Sequence, residues 1–386
     1  MAGVGAIGSL TAMSDGRIFG DRLGRVRAAM AAHEVDVTLL SVGADLPWLT
    51  GYTAMPLERL TMLVVPRDGE ATLVVPRLEV PRVVDRAEVF RTVGWDETED
   101  PVAIVAGLAG PARSVAVGDT TWARFLVELI GHLPSAEWQR AREIVGPLRA
   151  VKDAAEIDGL RRAADAVDRI ARALQAGEIP LIGRTEADVS AELSRRIVAE
   201  GHDRTNFAIV AAGANAASPH HHAGRRVIEP GEVVLCDFGG TYPLDDLGVG
   251  YCSDITRCVY TGEPPTAFRE LYGVLHYAQA RAVEAATVGT PAEDVDGVAR
   301  HLIADGGFDG YFIHRLGHGI GVEEHEDPYL VGGNPEPLVA GNAFSIEPGI
   351  YVPGTWGARI EDIVVATADG PLALNRVSHD LAVVEA

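Results

Sequence analysis

Cysteine is scarce in this chain. Cys236, Cys252 and Cys258 are the three among 386 residues, too few for a disulfide framework and in keeping with a reducing cytoplasm, the expected location. Positive charge is short too: 33 Lys and Arg stand against 55 Asp and Glu, a net charge of −22. That balance argues against a nucleic-acid or anionic-membrane partner, since both need a basic surface. No stretch reaches the roughly 18 unbroken apolar residues of a membrane span. The opening Met-Ala-Gly-Val-Gly-Ala-Ile-Gly carries no cation before Arg17, unlike a secretory signal. Residues 1–20 are therefore expected as a flexible tail on a soluble protein.

Apolar residues, by contrast, make up 47% of the chain, ample for burial, and the length favours two domains. From Asp21 the pattern Leu23, Val26, Met30 predicts a short helix leading into an apolar strand over Val35 to Val42. Two apolar runs, 60–65 and 71–75, flank Pro66-Arg-Asp-Gly69 and predict a hairpin. A strand at 114–117 and a helix over 121–133 follow. Nothing in residues 1–140 gathers carboxylates with histidines, so 21–145 reads as an α/β scaffold or gate.

Pro134, Gly146 and Pro147 mark a boundary near 135–150. Beyond it a helix is expected over 153–174, where Ile157, Leu160, Ala164, Val167, Ala171 and Leu174 share a face. Others start at the N-cap Thr185, cover 266–286, and run from Thr290-Pro291 to Gly306-Gly307. Strand-like runs at 206–212, 232–238, 252–260, 343–352 and 358–367 make 146–386 an α+β domain, with helices on a mainly antiparallel sheet.

Histidine is concentrated where glycine is. His314-Arg-Leu-Gly-His318-Gly-Ile-Gly-Val-Glu-Glu-His325 puts three imidazoles in twelve residues. Its glycines at 317, 319 and 321 let the backbone approach closely or take positive φ, and His is a common metal ligand and general base. Pro219-His220-His221-His222 is a second cluster. Acids, meanwhile, lie where they are costly. Asp237 stands in the apolar run Val233-Val-Leu-Cys-Asp-Phe, Glu347 in Ala343-Phe-Ser-Ile-Glu-Pro-Gly-Ile-Tyr-Val, and Glu361 in Arg359-Ile-Glu-Asp-Ile-Val-Val, with Asp254 in Cys252-Ser-Asp-Ile-Thr-Arg257. A buried carboxylate without a partner costs several kcal/mol or neutralises itself, so something positive must face these acids. Arg359 can neutralise one. Four carboxylates and the imidazole of His318 describe a hard, oxygen-rich site for two divalent ions that share carboxylates. Such a pair, about 3.5–4 Å apart, activates water and polarises a carbonyl or phosphoryl oxygen, which is hydrolase equipment.

Asp237, Asp254, His318, Glu347 and Glu361, in that order and in the contexts Cys-Asp-Phe-Gly-Gly, Ser-Asp-Ile-Thr-Arg, Gly-His-Gly-Ile-Gly, Ile-Glu-Pro-Gly-Ile-Tyr and Arg-Ile-Glu-Asp, resemble the five ligands of the pita-bread metallopeptidases. The likeness covers the whole second half, entered at Leu148-Arg-Ala-Val-Lys152-Asp-Ala-Ala-Glu156-Ile. The first half, with Leu49-Thr-Gly-Tyr52, is similar to the smaller creatinase-type domain of prolidases and aminopeptidases P. The resemblance implies a pita-bread catalytic domain over 146–386 and a creatinase-like N-terminal α/β domain over 21–145. It implies that Asp237 chelates one ion, that His318 and Glu347 hold the other, and that Asp254 and Glu361 bridge them. Mn²⁺ or Co²⁺ are the first candidates, and Zn²⁺ or Fe²⁺ also accept these ligands. His220 and His325 match histidines that contact substrate or the tetrahedral intermediate, His314 matches a site-lining position, and Glu347 matches the proton shuttle.

The expected activity is hydrolysis of Xaa-Pro bonds in dipeptides or short peptides by a homodimer. A metal-dependent non-peptidase hydrolase or lyase on the same fold, acting on a small amide, is the alternative. The chain departs from the family in two places. The gap from Asp237 to Asp254 is longer, through Tyr242-Pro-Leu-Asp-Asp-Leu, which reads as an extended hairpin loop and leaves Asp245 or Asp246 as rival ligands. Tyr329 stands where some short prolidases carry an arginine for the dipeptide's carboxylate, so Arg359 or an arginine of the N-terminal half is expected to bind it.

Overall fold

A computed structural model describes residues 7–244 and 248–385. The chain forms two compact units: residues up to Arg149 with the segment Leu244–Val249, and Ala150–Pro243 with the chain from Gly250 onward.

In the first unit, α1 (Ile7–Ala32) leads into β1 (Val37–Leu40) and α2 (Asp45–Thr50). There follow β2 (Met62–Pro66), β3 (Ala71–Pro76), β4 (Phe90–Trp95), α3 (Pro101–Ala109), β5 (Ser114–Val117), α4 (Ala123–His132), β6 (Glu137–Arg140) and α5 (Arg142–Ala150). One sheet runs β4-β3-β2-β1-β5-β6. Leu39, Val64 and Val115 of its central strands pack with Val105 of α3 and Leu129 of α4. The expected hairpin is β2–β3, and it turns at Gly69 with φ 108°, a conformation that favours glycine.

One expectation fails in this unit. Helix α1 starts inside the stretch read as a tail, and Phe19 is fully buried there with the Arg86 guanidinium 4.5 Å from its ring centre. The apolar face thus begins before Leu23. The stretch expected to hold the domain boundary, 135–150, carries β6 and α5, with Pro147 inside the helix, and the two units part between Arg149 and Ala150.

The second unit contains α6 (Ala154–Gln175), α7 (Glu186–Ala199), β7 (Arg204–Ala212), β8 (Val233–Tyr242), β9 (Tyr251–Cys252), β10 (Ile255–Thr261), α8 (Thr266–Ala285) and α9 (Ala292–Ile303). After these come β11 (Gly317–Gly319), β12 (Glu326–Leu330), β13 (Ala343–Ile346), β14 (Gly349–Val352), β15 (Trp356–Arg359), β16 (Asp362–Thr367), β17 (Gly370–Ala373) and β18 (Ala382–Val384). Asp153 and Thr185 cap α6 and α7, each in a reciprocal capping box. One sheet runs β18-β10-β8-β7 with β9 on β8, another runs β12-β11-β13-β16-β17, and β14 pairs with β15. Among the described strand pairs of this unit only β10–β18 is parallel.

Strand β8 is buried on both faces. Val233 and Leu235 enter the core that holds α8 and α9, while Val234, Cys236 and Phe238 enter the one that holds α6 and α7. Two covered faces explain an unbroken apolar run, and alternation assigns Asp237 to the face of Val233 and Leu235. All three cysteines are unpaired and buried, and burial pushes the Cys258 thiol up to about 11. Among the described residues no helix is long and apolar enough to cross a membrane.

Three runs expected as single strands are each broken at an acid. Asp254 lies between β9 and β10, Glu347 between β13 and β14, and Glu361 between β15 and β16. Apolar patterning does not register such a break, because the residues on either side remain buried.

Candidate active site

The strand breaks, together with β8 and β11, bring five side chains onto one cavity of about 510 Å³: Asp237, Asp254, His318, Glu347 and Glu361. Ligating atoms of Asp254, His318 and Glu361 all lie within 4.8 Å of one another. His318 Nε2 is 3.2 Å from Glu347 Oε1 and 3.8 Å from Asp254 Oδ2. Asp245 and Asp246, the rivals to Asp254, lie outside the described residues.

Strand β11 can reach this point only because it is Gly-His-Gly. A Cβ on Gly317 would stand 1.9 Å from the Ser345 carbonyl oxygen, and one on Gly319 2.1 Å from that of Asp327. Close approach, not positive φ, is what these glycines supply. The His318 amide donates to Ser345 Oγ at 3.0 Å, and that hydroxyl donates to Glu347 Oε1 at 3.2 Å. His318 Nδ1 lies 3.1 Å from the Gly319 carbonyl, which accepts from it, and Nε2 is thereby turned to the carboxylates.

Arg359, fully inside the protein, is spent on this cluster. Its Nη2 donates to Asp237 Oδ2 at 2.6 Å, its Nη1 to Tyr351 Oη at 2.7 Å, and its Nε to Thr256 Oγ1 at 3.1 Å. Thr256 passes the contact on, donating to Glu361 Oε2 at 2.7 Å. Tyr351 in turn donates to His314 Nε2 at 2.9 Å, whose Nδ1 lies 2.7 Å from the Arg315 carbonyl. Beneath Glu361, the fully buried Arg257 donates to the Glu361 carbonyl at 2.7 Å and to Asp362 Oδ1 at 2.7 Å. Asp362 also accepts from Gln279 at 3.0 Å and His379 at 2.6 Å. Glu186, the first residue of α7, gathers the Ala212 amide, Asn215 and His221, at 2.9, 2.9 and 2.8 Å, and so holds the segment that carries His220.

The charge balance of the cavity is lopsided. Burial, then Glu361 and Asp237, push Asp254 well above its usual range; burial, then Glu347 and Asp237, do the same to Glu361. Burial also raises Asp237 against the pull of Arg359. Glu347 resists: burial opposes its ionisation, but the hydrogen bond and charge of His318 outweigh it and hold the carboxyl at about 2. Asp237 Oδ1 and Asp254 Oδ1 are buried and have no hydrogen-bond partner. Asp237, Asp254, Glu347 and Glu361, gathered about Arg359 and His318 with two orphaned oxygens among them, fit divalent cations in chemistry and in reach.

His220, His314 and His325 line the same cavity. The His325 ring centre is 3.9 Å from that of His318, and its Nδ1 is 3.3 Å from Arg315 Nη2. Partial desolvation, then His318 and Arg315, pull its pKa down to about 4. Two of the expected substrate contacts need correction. Arg359 already donates to Asp237, Tyr351, Thr256 and, at 3.4 Å, the Pro219 carbonyl, which leaves one N–H of five and no free fork for a carboxylate. Tyr329 is not among the lining residues; its ring supports the Arg315 guanidinium, 4.6 Å away. His314 lines the cavity with both ring nitrogens engaged. Thr256, Tyr351, Arg257, Asp362 and Glu186 had no role in the sequence reading. Only the closeness of Thr256 and Asp362 to candidate ligands in the chain hinted at them.

Residues 158–368 match metallopeptidase family M24, and residues 22–151 match the creatinase/prolidase N-terminal domain. The chain belongs to metallopeptidase family M24. It is 42% identical, over 377 residues covering 96% of this chain and 98% of the relative, to a Mycobacterium tuberculosis protein named "Probable dipeptidase PepE". It is 36% identical to the Xaa-Pro dipeptidase of Lactobacillus delbrueckii subsp. lactis, over 90% of this chain and 95% of that one. The crystal structure of dipeptidase PepE from Mycobacterium ulcerans matches with a TM-score of 0.90 at 42% identity, covering 96% of this chain and 99% of that one. This M24 metallopeptidase therefore has the pita-bread fold with a creatinase-type N-terminal domain that its sequence led one to expect. Divalent metal goes with the family, and Asp254, His318 and Glu361 offer a triad for it.

Proposed function

We propose that this M24 metallopeptidase is a dinuclear Xaa-Pro dipeptidase, with Asp237, Asp254, His318, Glu347 and Glu361 as ligands and Mn²⁺ or Co²⁺ as the working ions. One observation carries the reading: those five side chains share one cavity in which two buried carboxylate oxygens lack partners. The names of the relatives, dipeptidase and Xaa-Pro dipeptidase, support the substrate class.

When bound, the cations acidify a water and polarise the peptide carbonyl. The chain supplies the rest. Glu347 Oε1, steered by Ser345 and His318, takes the proton of the attacking water and delivers it to the leaving nitrogen. Arg315, donating to Nδ1 of His325, fixes the tautomer with its proton on Nε2, a donor for the developing oxyanion. His220 is the second such group, held on its segment through Glu186. An Xaa-Pro amide has no N–H to satisfy, and Phe207, Ile209 and Val331 give the cavity an apolar wall for the pyrrolidine ring.

The test is hydrolysis of Ala-Pro, Gly-Pro and Ala-Ala by protein stripped with chelator and reloaded with Mn²⁺ or Co²⁺. Metal-dependent cleavage of the proline dipeptides is expected. Inactivity on all three would contradict the reading.

A further inference from the structure

We propose that Arg315 reads the free carboxylate at the C-terminus of the substrate, and thereby restricts this enzyme to dipeptides. The proposal rests on the peptidase reading above and adds to it the residue that sets substrate length.

Two arginines line the cavity, Arg315 and Arg359. Arg359 is buried and committed to Asp237, Tyr351 and Thr256. Arg315 is half-buried, and among the described residues it pairs with no carboxylate. Its guanidinium lies over the Tyr329 ring at 4.6 Å and touches His325 Nδ1 through Nη2 at 3.3 Å. Stacking on an aromatic face pins the plane of the fork, and with one Nη2 N–H on His325 the other Nη2 N–H remains, with Nε or Nη1 beside it, for a bidentate carboxylate. Tyr329 thus serves the anchoring arginine as its platform.

Position favours the same role. His314, Arg315 and Val331 also line a neighbouring groove of about 910 Å³, whose wall carries Glu293 and Asp294. Arg315 stands where the two spaces meet. A dipeptide ends there, with its carboxylate on the guanidinium. A longer peptide would carry a neutral amide past Arg315 and its own carboxylate into a groove where Arg300 is already paired with Asp296 and Glu293 and Asp294 stand on the wall.

The experiment compares Ala-Pro with Ala-Pro amide as substrates, and L-proline with L-prolinamide as calorimetric ligands, for Mn²⁺-loaded wild type, R315Q and R315K. Wild type is expected to prefer the free acid by about 10- to 100-fold in kcat/KM, the range for a hydrogen-bonded charge pair, and to bind proline over prolinamide in the same sense. In R315Q both preferences fall below about threefold; R315K, which keeps the charge without the fork, retains part of each. Because the readout is a ratio, any loss of rate through His325 cancels. A wild type that binds proline and prolinamide alike, or an R315Q that keeps the preference, overturns the proposal. Should wild type bind proline selectively through Arg315 yet hydrolyse neither substrate, the anchor stands and the peptidase reading fails.

Discussion

Arg359 donates to Oδ2 of Asp237 at 2.6 Å, while Oδ1 of the same buried carboxylate has no partner. The arginine fixes one oxygen and thereby aims the other into the cavity. Through Thr256 it also orients Glu361, so two of the candidate ligands depend on one guanidinium. Partners of this kind are worth about 10- to 100-fold in metal affinity or activity. Arg359→Lys retains the charge but not three directed donors. Titration calorimetry with Mn²⁺ should show the variant binding at least about tenfold more weakly; unchanged affinity would mean that Asp237 needs no such support.

Arg257 and Asp362 form a second, deeper pair, 2.7 Å apart and almost fully excluded from water. Removing one partner of a buried pair leaves the other charge uncompensated, at a cost of about 3–5 kcal/mol. Asp362→Asn should lower the urea midpoint accordingly and, because Arg257 also holds the Glu361 carbonyl, reduce metal content at limiting Mn²⁺. A variant as stable as wild type would contradict the assignment.

His202 makes stability depend on pH. Its Nδ1 lies 3.2 Å from the Ile197 carbonyl and its Nε2 2.8 Å from Ser253 Oγ, and burial lowers its pKa from 6.5 to about 4. Between those values the unfolded chain binds the proton and the folded one does not. Stability therefore rises with pH across this window, and up to about 3 kcal/mol is lost as the pH falls through it. Urea unfolding at pH 4.5 and pH 7 should show a smaller difference for His202→Gln than for wild type. An identical pH dependence would sink the argument.

Glu186→Gln should loosen the segment bearing His220. The carboxylate accepts from the Ala212 amide, Asn215 and His221, and these donors pull its pKa down although burial opposes them. The amide retains one acceptor oxygen. We expect a loss of about 1–3 kcal/mol in stability and a fall in kcat larger than any rise in KM. A variant whose only change is in KM would place His220 in binding rather than in catalysis.

Asp237, Glu347 and Glu361 were legible because a carboxylate inside an apolar run is too costly to be idle, and His318 because glycines flank it. The strand breaks at Asp254, Glu347 and Glu361 were not, since hydrophobic patterning is the same on both sides of a hinge. Arg359 was legible as a neutralising charge but misassigned as a substrate contact, because a sequence does not say how many acceptors surround a guanidinium. Arg257 and Asp362 meet across 105 positions, and no local pattern carries such a pairing. The burial of Phe19 hid behind a glycine-rich opening that resembles a tail.

The most direct test is an anomalous difference map from crystals grown with Mn²⁺. The account predicts two peaks in the cavity, about 3.5–4 Å apart, one against Asp237, the other against His318 and Glu347, with Asp254 and Glu361 between them. A map with no peak among those five side chains would contradict it.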